Sequence, residues 1–390
     1  MTELVRPAIE RSGPVEAWII DDTGFPKKGR HSVGVTGQYC GQLGKQDNCQ
    51  LAVTLSLASR DARLPAAYRL YLAEDWAQDQ ARRHKAKIPQ TIAFQTKPEI
   101  AVEQINAAQA AGLAQGVVLI DAGYGNDARL RTQITAGGIS DVAGIGPNTS
   151  VWPPGAAPLP PQTGSGRGRP QRRLQRARST SRSRSSRSLS ACRKRRGQPS
   201  GGAKAARTGS LHGSPGCGRP AHRDNLLAEP RAEEWLPIER PEDETEPTKY
   251  WFASLPEDIA FDRLVDLAKL RWRIERDYQE LKPELGRGDY ERRGWRGFHR
   301  HATLCIAAYG FLIAERGAIP PQDQVSPRRS RDLPFPRVTD PGVPPIRPER
   351  HIPNSIATMR RRLIVALART LPRCPCCNTP IRNTARIPDY

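Results

Sequence analysis

The chain has 390 residues, a net charge of +21 and a pI near 10.2, with 37% hydrophobic and 26% charged residues. That length buries a substantial core and holds one or two domains, and the basicity points to a nucleic-acid partner. The longest apolar run, residues 304–314, is far short of the roughly 20 residues a bilayer-spanning helix needs and reads as part of a core helix. The eight cysteines show no disulfide framework and read as reduced thiols of a cytosol.

In chain order, residues 18–20 predict a buried strand that stops abruptly in Asp21-Asp22-Thr23-Gly24. Lys27-Lys28-Gly29-Arg30 reads either as a phosphate-contacting turn or as an exposed hairpin rim. Residues 31–39 and 49–57 predict two further strands, and 98–112 an Ala-rich helix with a glycine stop. A fourth strand over 117–120 ends, like the first, in an acid: Asp121-Ala122-Gly123-Tyr124-Gly125. A helix over 127–136 and a fifth strand over 141–145 follow. Short Val/Ile/Leu runs closed by glycine are the mark of fully buried strands in a mixed sheet, and such sheets carry their active groups at strand ends. Asp22 (or Asp21) and Asp121 are then two carboxylates at strand tips, suited to a hard cation such as Mg2+. Taken singly, each has a plainer reading as turn chemistry or a helix cap.

Composition changes after residue 150. Residues 142–223 hold 17 Lys and Arg and no Asp or Glu, so only +4 of the net +21 belongs to the other 308 residues. No Phe, Tyr or Trp lies between Trp152 and Trp235. Such a stretch cannot bury enough apolar area to offset its ordering entropy, which predicts disorder over 163–217. It reads as an arm that binds phosphates in a salt-dependent manner, or as a charged linker. Residues 249–255 predict a strand of the inserted part and 297–317 a core helix. His299 and His301 are placed to face DNA or to cap a turn. Pro-rich 153–161 and 319–348 read as linkers. Cys374-Pro-Cys-Cys377 lacks the second Cys/His pair of a closed zinc site.

Residues 256–285 carry the most informative helix. Arg271, Glu275, Tyr278 and Lys282 are spaced by 4, 3 and 4, which puts all four on one face. An acid flanked by two cations is what a phosphodiester-cutting site needs, the acid for metal and the cations for phosphates. A solvated salt-bridge ladder is the plainer reading, at about 0.3–0.5 kcal/mol per pair. The two upstream aspartates favour the site. Trp272 falls on the opposite, packing face.

With these residues the chain resembles insertion-sequence transposases of the DDE superfamily, in the group with a Tyr-x2-Arg-x3-Glu-x6-Lys signature. Arg271, Glu275 and Lys282 match its spacing, and Ala268 stands where the Tyr is expected. The resemblance implies an RNase H-like mixed five-stranded sheet flanked by helices, with an inserted, partly disordered subdomain. It divides the chain into a first catalytic part (1–150), an insertion (151–245), the remainder of the catalytic domain with the Glu helix (246–317) and a Pro/Arg-rich C-terminal region (318–390). It selects Asp22 over Asp21 and implies Asp22, Asp121 and Glu275 as catalytic acids holding two Mg2+ ions, with Mn2+ as a substitute. Arg271 and Lys282 are the implied DNA contacts. The implied partners are double-stranded DNA at element ends and target, and a second copy in a synaptic complex. The implied setting is a prokaryotic cytoplasm at the nucleoid, with no membrane.

Two departures from the family pattern carry expectations. Asp22 lies only 21 residues from Met1, which implies a shortened start. The Arg/Ser/Gly bias around 163–217 is typical of GC-rich DNA read out of frame, which implies a compensated frameshift within the insertion. Either departure leaves room for a catalytically inactive remnant that only binds DNA through its basic segment. An RNase H-like nuclease acting on RNA or repair intermediates is a further alternative, against which the Arg and Lys around Glu275 count.

Overall fold

The computed structural model describes residues 9, 13–59, 62–152, 156, 159, 183–184, 209–212, 218–221, 229–241, 244–271, 285–286, 288, 290–318, 356–370 and 376. At its centre is β1 (Ala17–Pro26), whose residues 17–20 are fully buried because helices cover both faces of the sheet. β2 (Thr36–Cys40), β3 (Lys45–Ala58) and β4 (Arg63–Leu70) follow. β1 and β3 are antiparallel along their whole shared length, from Ala17↔Ala58 to Pro26↔Cys49. On its other edge β3 carries β2 near its start and β4 near its end, with an irregularity at Leu55/Ser56.

Two short helices, α1 (Glu74–Gln78) and α2 (Gln80–Ala86), lead to α3 (Lys97–Ala110). α3 starts at a capping box in which Thr96 and Glu99 satisfy each other's backbone N–H groups. It lies on β3 and β4, and Gln104 Nε2 donates to the Val53 carbonyl at 3.0 Å. The chain then re-enters the sheet through β5 (Val117–Ile120), parallel to β1. A short turn of helix, α4 (Ala122–Gly125), and α5 (Ala128–Ala136) cross over to β6 (Asp141–Ile145), parallel to β5.

The strands β4-β3-β1-β5-β6, three antiparallel and then two parallel, make the mixed sheet of an RNase H-like fold. The sheet does not stop at five. A small second sheet uses β7 (Ser150–Trp152), β8 (Ser183–Arg184) and β10 (Arg219–Pro220). β9 (Gly209–His212), β11 (Ile238–Pro241) and β12 (Lys249–Ala253) continue the main one. β12 pairs antiparallel with β6, Tyr250↔Ile145 to Ala253↔Val142, so the expected strand of the insertion extends the central sheet. α6 (Phe261–Leu270), α7 (Trp295–Ala318) and α8 (Ile356–Thr370) complete the described elements.

One strand differs from its expectation. The third core strand is β4, and of residues 31–39 only the end forms a strand, β2. Gly34 sits at φ +71°, and a Cβ there would lie 3.0 Å from the Tyr71 carbonyl. Two carbonyls of this segment are satisfied by side chains, Gln50 Nε2 donating to Val33 (2.7 Å) and Trp76 Nε1 to Val35 (2.7 Å), while the N–H groups of Val33 and Val35 donate to the backbone carbonyls of Arg293 and Ser32.

His299 is partly buried and packs against core aromatic residues. Its ring stacks on Tyr68 at 5.6 Å, its Nδ1 meets the Trp295 carbonyl at 2.9 Å, and burial lowers its pKa. His301 Nε2 lies 2.8 Å from the Gly286 carbonyl. Among the described residues no helix is long and apolar enough to cross a membrane. Most of 163–217 and residues 319–355 lie outside the described residues, as do Cys374 and Cys377.

Candidate active site

The site forms where β1 and β5 run side by side. Their parallel register pairs Ala17 with Val117 and Ile19 with Leu119. Carried two residues on, it brings Asp21 level with Asp121. Asp121 ends β5 and caps α4, its Oδ1 accepting from Tyr124 N at 3.1 Å. α4 is pressed so closely on β6 that a Cβ on Gly125 would lie 2.0 Å from the Gly144 carbonyl oxygen. Only glycine fits there, which fixes the backbone that carries Asp121 and Tyr124.

Neighbouring residues of a strand point to opposite faces, and the two β1 aspartates take different partners. Asp21 Oδ1 accepts from the backbone N of Asp22 at 2.8 Å, and its Oδ2 lies 3.6 Å from an Arg271 guanidinium nitrogen. Asp22 Oδ2 lies 2.6 Å from Lys97 Nζ, while its Oδ1 accepts from the Tyr124 hydroxyl. Burial pushes the Asp21 carboxyl up to about 7; Arg271 opposes this, and the Asp121 charge adds to it. Burial also raises Asp22, against Lys97 and Tyr124 and with a contribution from Asp121. The phenol of Tyr124 is held well above its ordinary range by burial and by the Asp22 carboxylate.

Three acids thus crowd one corner of the sheet with two cations against them. Of the residues expected at the site, Asp121 stands level with Asp21 and acts electrostatically on both β1 aspartates, Arg271 pairs with Asp21 and not with Asp22, and Asp22 takes Lys97 and Tyr124. Arg271, at the C-terminal end of α6, holds an acid of the site, Asp21. Glu275 and Lys282 lie outside the described residues. Lys97 and Tyr124 were missed by sequence reasoning. Their signals were a cation in the first turn of α3 and a tyrosine three residues beyond a strand-tip acid.

Among the described residues no group of three or more His, Cys, Asp or Glu is arranged to hold a metal ion unaided. The donor chemistry nevertheless fits a hard divalent cation. Every acidic donor is a carboxylate oxygen, and both β1 carboxyls are raised by burial and by a neighbouring negative charge. A bound cation relieves that electrostatic load.

Comparison with known proteins identifies the family of the chain's first half. Residues 1–205 match the model of a family described as DDE superfamily endonuclease. Over 111 residues the chain is 32% identical to a protein of Microchaete diplosiphon named as a probable transposase for insertion sequence element IS701. The aligned stretch is 28% of this chain and 26% of that relative, so the match spans about a quarter of the relative's length.

Proposed function

Since the chain belongs to the DDE superfamily endonucleases, we propose that it is the transposase of a DNA insertion sequence. Its reaction is metal-dependent cleavage of DNA strands at the element ends, followed by strand transfer into a target. The observation that carries this reading is the meeting of the Asp21-Asp22 tip of β1 with Asp121 of β5, beside Arg271 at the threshold of the Glu275 segment. Asp22 and Asp121, with Glu275, are the residues that would hold two Mg2+ ions, or Mn2+ in their stead. Such ions, when bound, supply Lewis acidity toward the scissile phosphate and an activated attacking oxygen.

The remaining work belongs to the chain. Tyr124 orients the Asp22 carboxylate through its hydroxyl, and the α4 cap fixes Asp121. Arg271 and Lys282 grip backbone phosphates, Arg as a planar fork and Lys as a point charge. Both are sequence-independent contacts that set the position of the duplex. The partners are double-stranded DNA and a second copy of the chain in a synaptic complex, and the setting is a prokaryotic cytoplasm, at the nucleoid.

Nicking of a supercoiled plasmid that carries the element's own ends tests the reaction. Conversion to open circles in Mg2+, abolished by a chelator and restored by Mn2+, is the expected result. Salt-sensitive DNA binding with no cleavage in either metal would instead favour an inactive remnant, a reading that the charge of residues 142–223 supports. Lys282→Ala should weaken DNA binding and reduce the slope of log affinity against log salt by about one. A slope equal to that of the wild type would remove Lys282 from the phosphate contacts.

A further inference from the structure

We propose that Lys97 is a tethered counter-ion of Asp22 that a divalent metal displaces, while Tyr124 keeps the same carboxylate aimed throughout. The inference rests on the functional reading above, in which Asp22 is a metal ligand.

Both oxygens of Asp22 are already taken. Lys97 Nζ lies 2.6 Å from Oδ2, and the Tyr124 hydroxyl donates to Oδ1. Each oxygen keeps a lone pair, so the hydrogen bond from neutral Tyr124 is compatible with a metal, whereas an ammonium 2.6 Å from Oδ2 repels a dication arriving there and has to give way. Tyr124 is 3% exposed and belongs to α4, whose backbone is pinned between the Asp121 cap and β6. It cannot withdraw without unpacking that corner. The Lys97 side chain is 35% exposed, on a flexible four-carbon stem with water at hand to solvate the ammonium. Lys97 is therefore the exchangeable partner and Oδ2 the oxygen that becomes available.

The position of Lys97 in its helix is a second, independent observation. It is the first residue of α3, directly after the cap Thr96. The helix N-terminus carries partial positive charge and favours acids, so a cation there opposes the macrodipole. Local rules of this kind are broken mainly at functional sites. The Thr96–Glu99 capping box fixes the backbone on either side of Lys97, so the ammonium is delivered to one place. A cation that served only helix stability would sit in the last turn. This one sits where it balances Asp22 in the absence of metal.

Mn2+ binding to the full chain without DNA, followed by electron paramagnetic resonance, tests the idea. Lys97→Met should bind Mn2+ about tenfold more tightly, since a cation a few ångströms from a carboxylate depresses its affinity for other cations by that order or more. Its melting temperature should lie below that of the wild type in chelator and converge with it at saturating Mn2+. A merely structural salt bridge would leave Mn2+ affinity unchanged and a melting gap that metal does not close. Unchanged or weaker Mn2+ binding by Lys97→Met, beside normal binding by the wild type, overturns the counter-ion role alone. A wild type that binds no Mn2+ overturns the functional reading and this inference with it. Should Lys97→Met fail to fold, acetylation of Lys97 in the wild type decides the matter. Mn2+ should speed its modification several-fold, and an unaltered rate counts against displacement.

Discussion

Asp121→Asn should leave the protein folded and lower DNA cleavage by about a thousandfold. Asn caps a helix as well as Asp does, so the contact from Tyr124 N to the side-chain oxygen survives. What is lost is the negative charge. If Asp121 helps to hold the metal, removing it forfeits several kcal/mol of transition-state stabilisation, at about 1.36 kcal/mol per decade of rate. Single-turnover cleavage at saturating Mg2+ reads this directly. A variant that cuts within tenfold of the wild type would remove Asp121 from the chemistry. The same substitution has a second readout in the metal-free protein. The Asp21 carboxyl, normally near 3.8, is pushed up to about 7 by burial, with Arg271 opposing and Asp121 adding. A carboxyl raised in the folded state costs stability nothing below its ordinary pKa and progressively more as pH rises to the folded value. Relieved of Asp121, Asp21 ionises at lower pH, so the loss of stability between pH 4 and 7 should shrink. Asp121→Asn should therefore melt higher than the wild type at pH 8 in chelator.

The second large effect lies away from the site. Arg131 of α5 is buried, with Nε 2.9 Å from Asp141 Oδ2, a second contact from its guanidinium to Glu234, and its carbon centre 4.9 Å from the Phe252 ring centroid. Asp141, fully buried at the start of β6, also accepts from Ser254 Oγ at 2.6 Å. One guanidinium therefore ties α5 and β6 to Glu234 and to β12. Arg131→Met leaves the fully buried Asp141 and the partly buried Glu234 facing each other without a cation and should cost about 3–5 kcal/mol. Burial already holds the Glu234 carboxyl above its ordinary range, with Arg131 pulling the other way. Without Arg131 it rises further, and stability lost as pH climbs through that pKa makes the deficit larger at pH 8 than at pH 5. Urea midpoints at the two pH values measure both claims. Adding Asp141→Asn and Glu234→Gln should recover part of the loss, because the charges that needed a partner are gone. A deficit under 1 kcal/mol would mean that water reaches the triad.

Much of this architecture was legible in the sequence because buried strands are short, apolar and sharply punctuated. β5 and β6 fall on residues 117–120 and 141–145 as expected, and α3 differs from its expectation by a residue or two at each end. β4 was not legible. It reads Arg-Leu-Pro-Ala-Ala-Tyr-Arg-Leu, where proline and two alanines hide the strand pattern. Pro65 is tolerated beside the register irregularity of β3. Residues 31–35 misled in the opposite sense, since alternating valines imitate a strand while Gly34 turns the chain. At the site, the acids announced themselves as strand tips. Lys97 and Tyr124 could not, because each becomes meaningful only when α3 and α4 are brought against β1. Sequence also left Asp21 and Asp22 unresolved. The structure gives each its own partners, Arg271 for one and Lys97 with Tyr124 for the other.

The pairing of β6 with β12 has a consequence for how such a chain can change. Ile145 of β6 and Tyr250 of β12 are register mates, and the chain between them adds β9 and β11 to the outer edge of the same sheet. The excursion between them starts and ends at neighbouring points of one scaffold. For an excursion anchored this way, each doubling in length adds only about 0.6 kcal/mol of closure entropy. Glu234 is a tether that it lends to Arg131. Provided that tether, the strands β9 and β11 and the buried Trp235, Leu236 and Ile238 are kept, the connections between them can be lengthened or trimmed while Asp22 and Asp121 stay where they are.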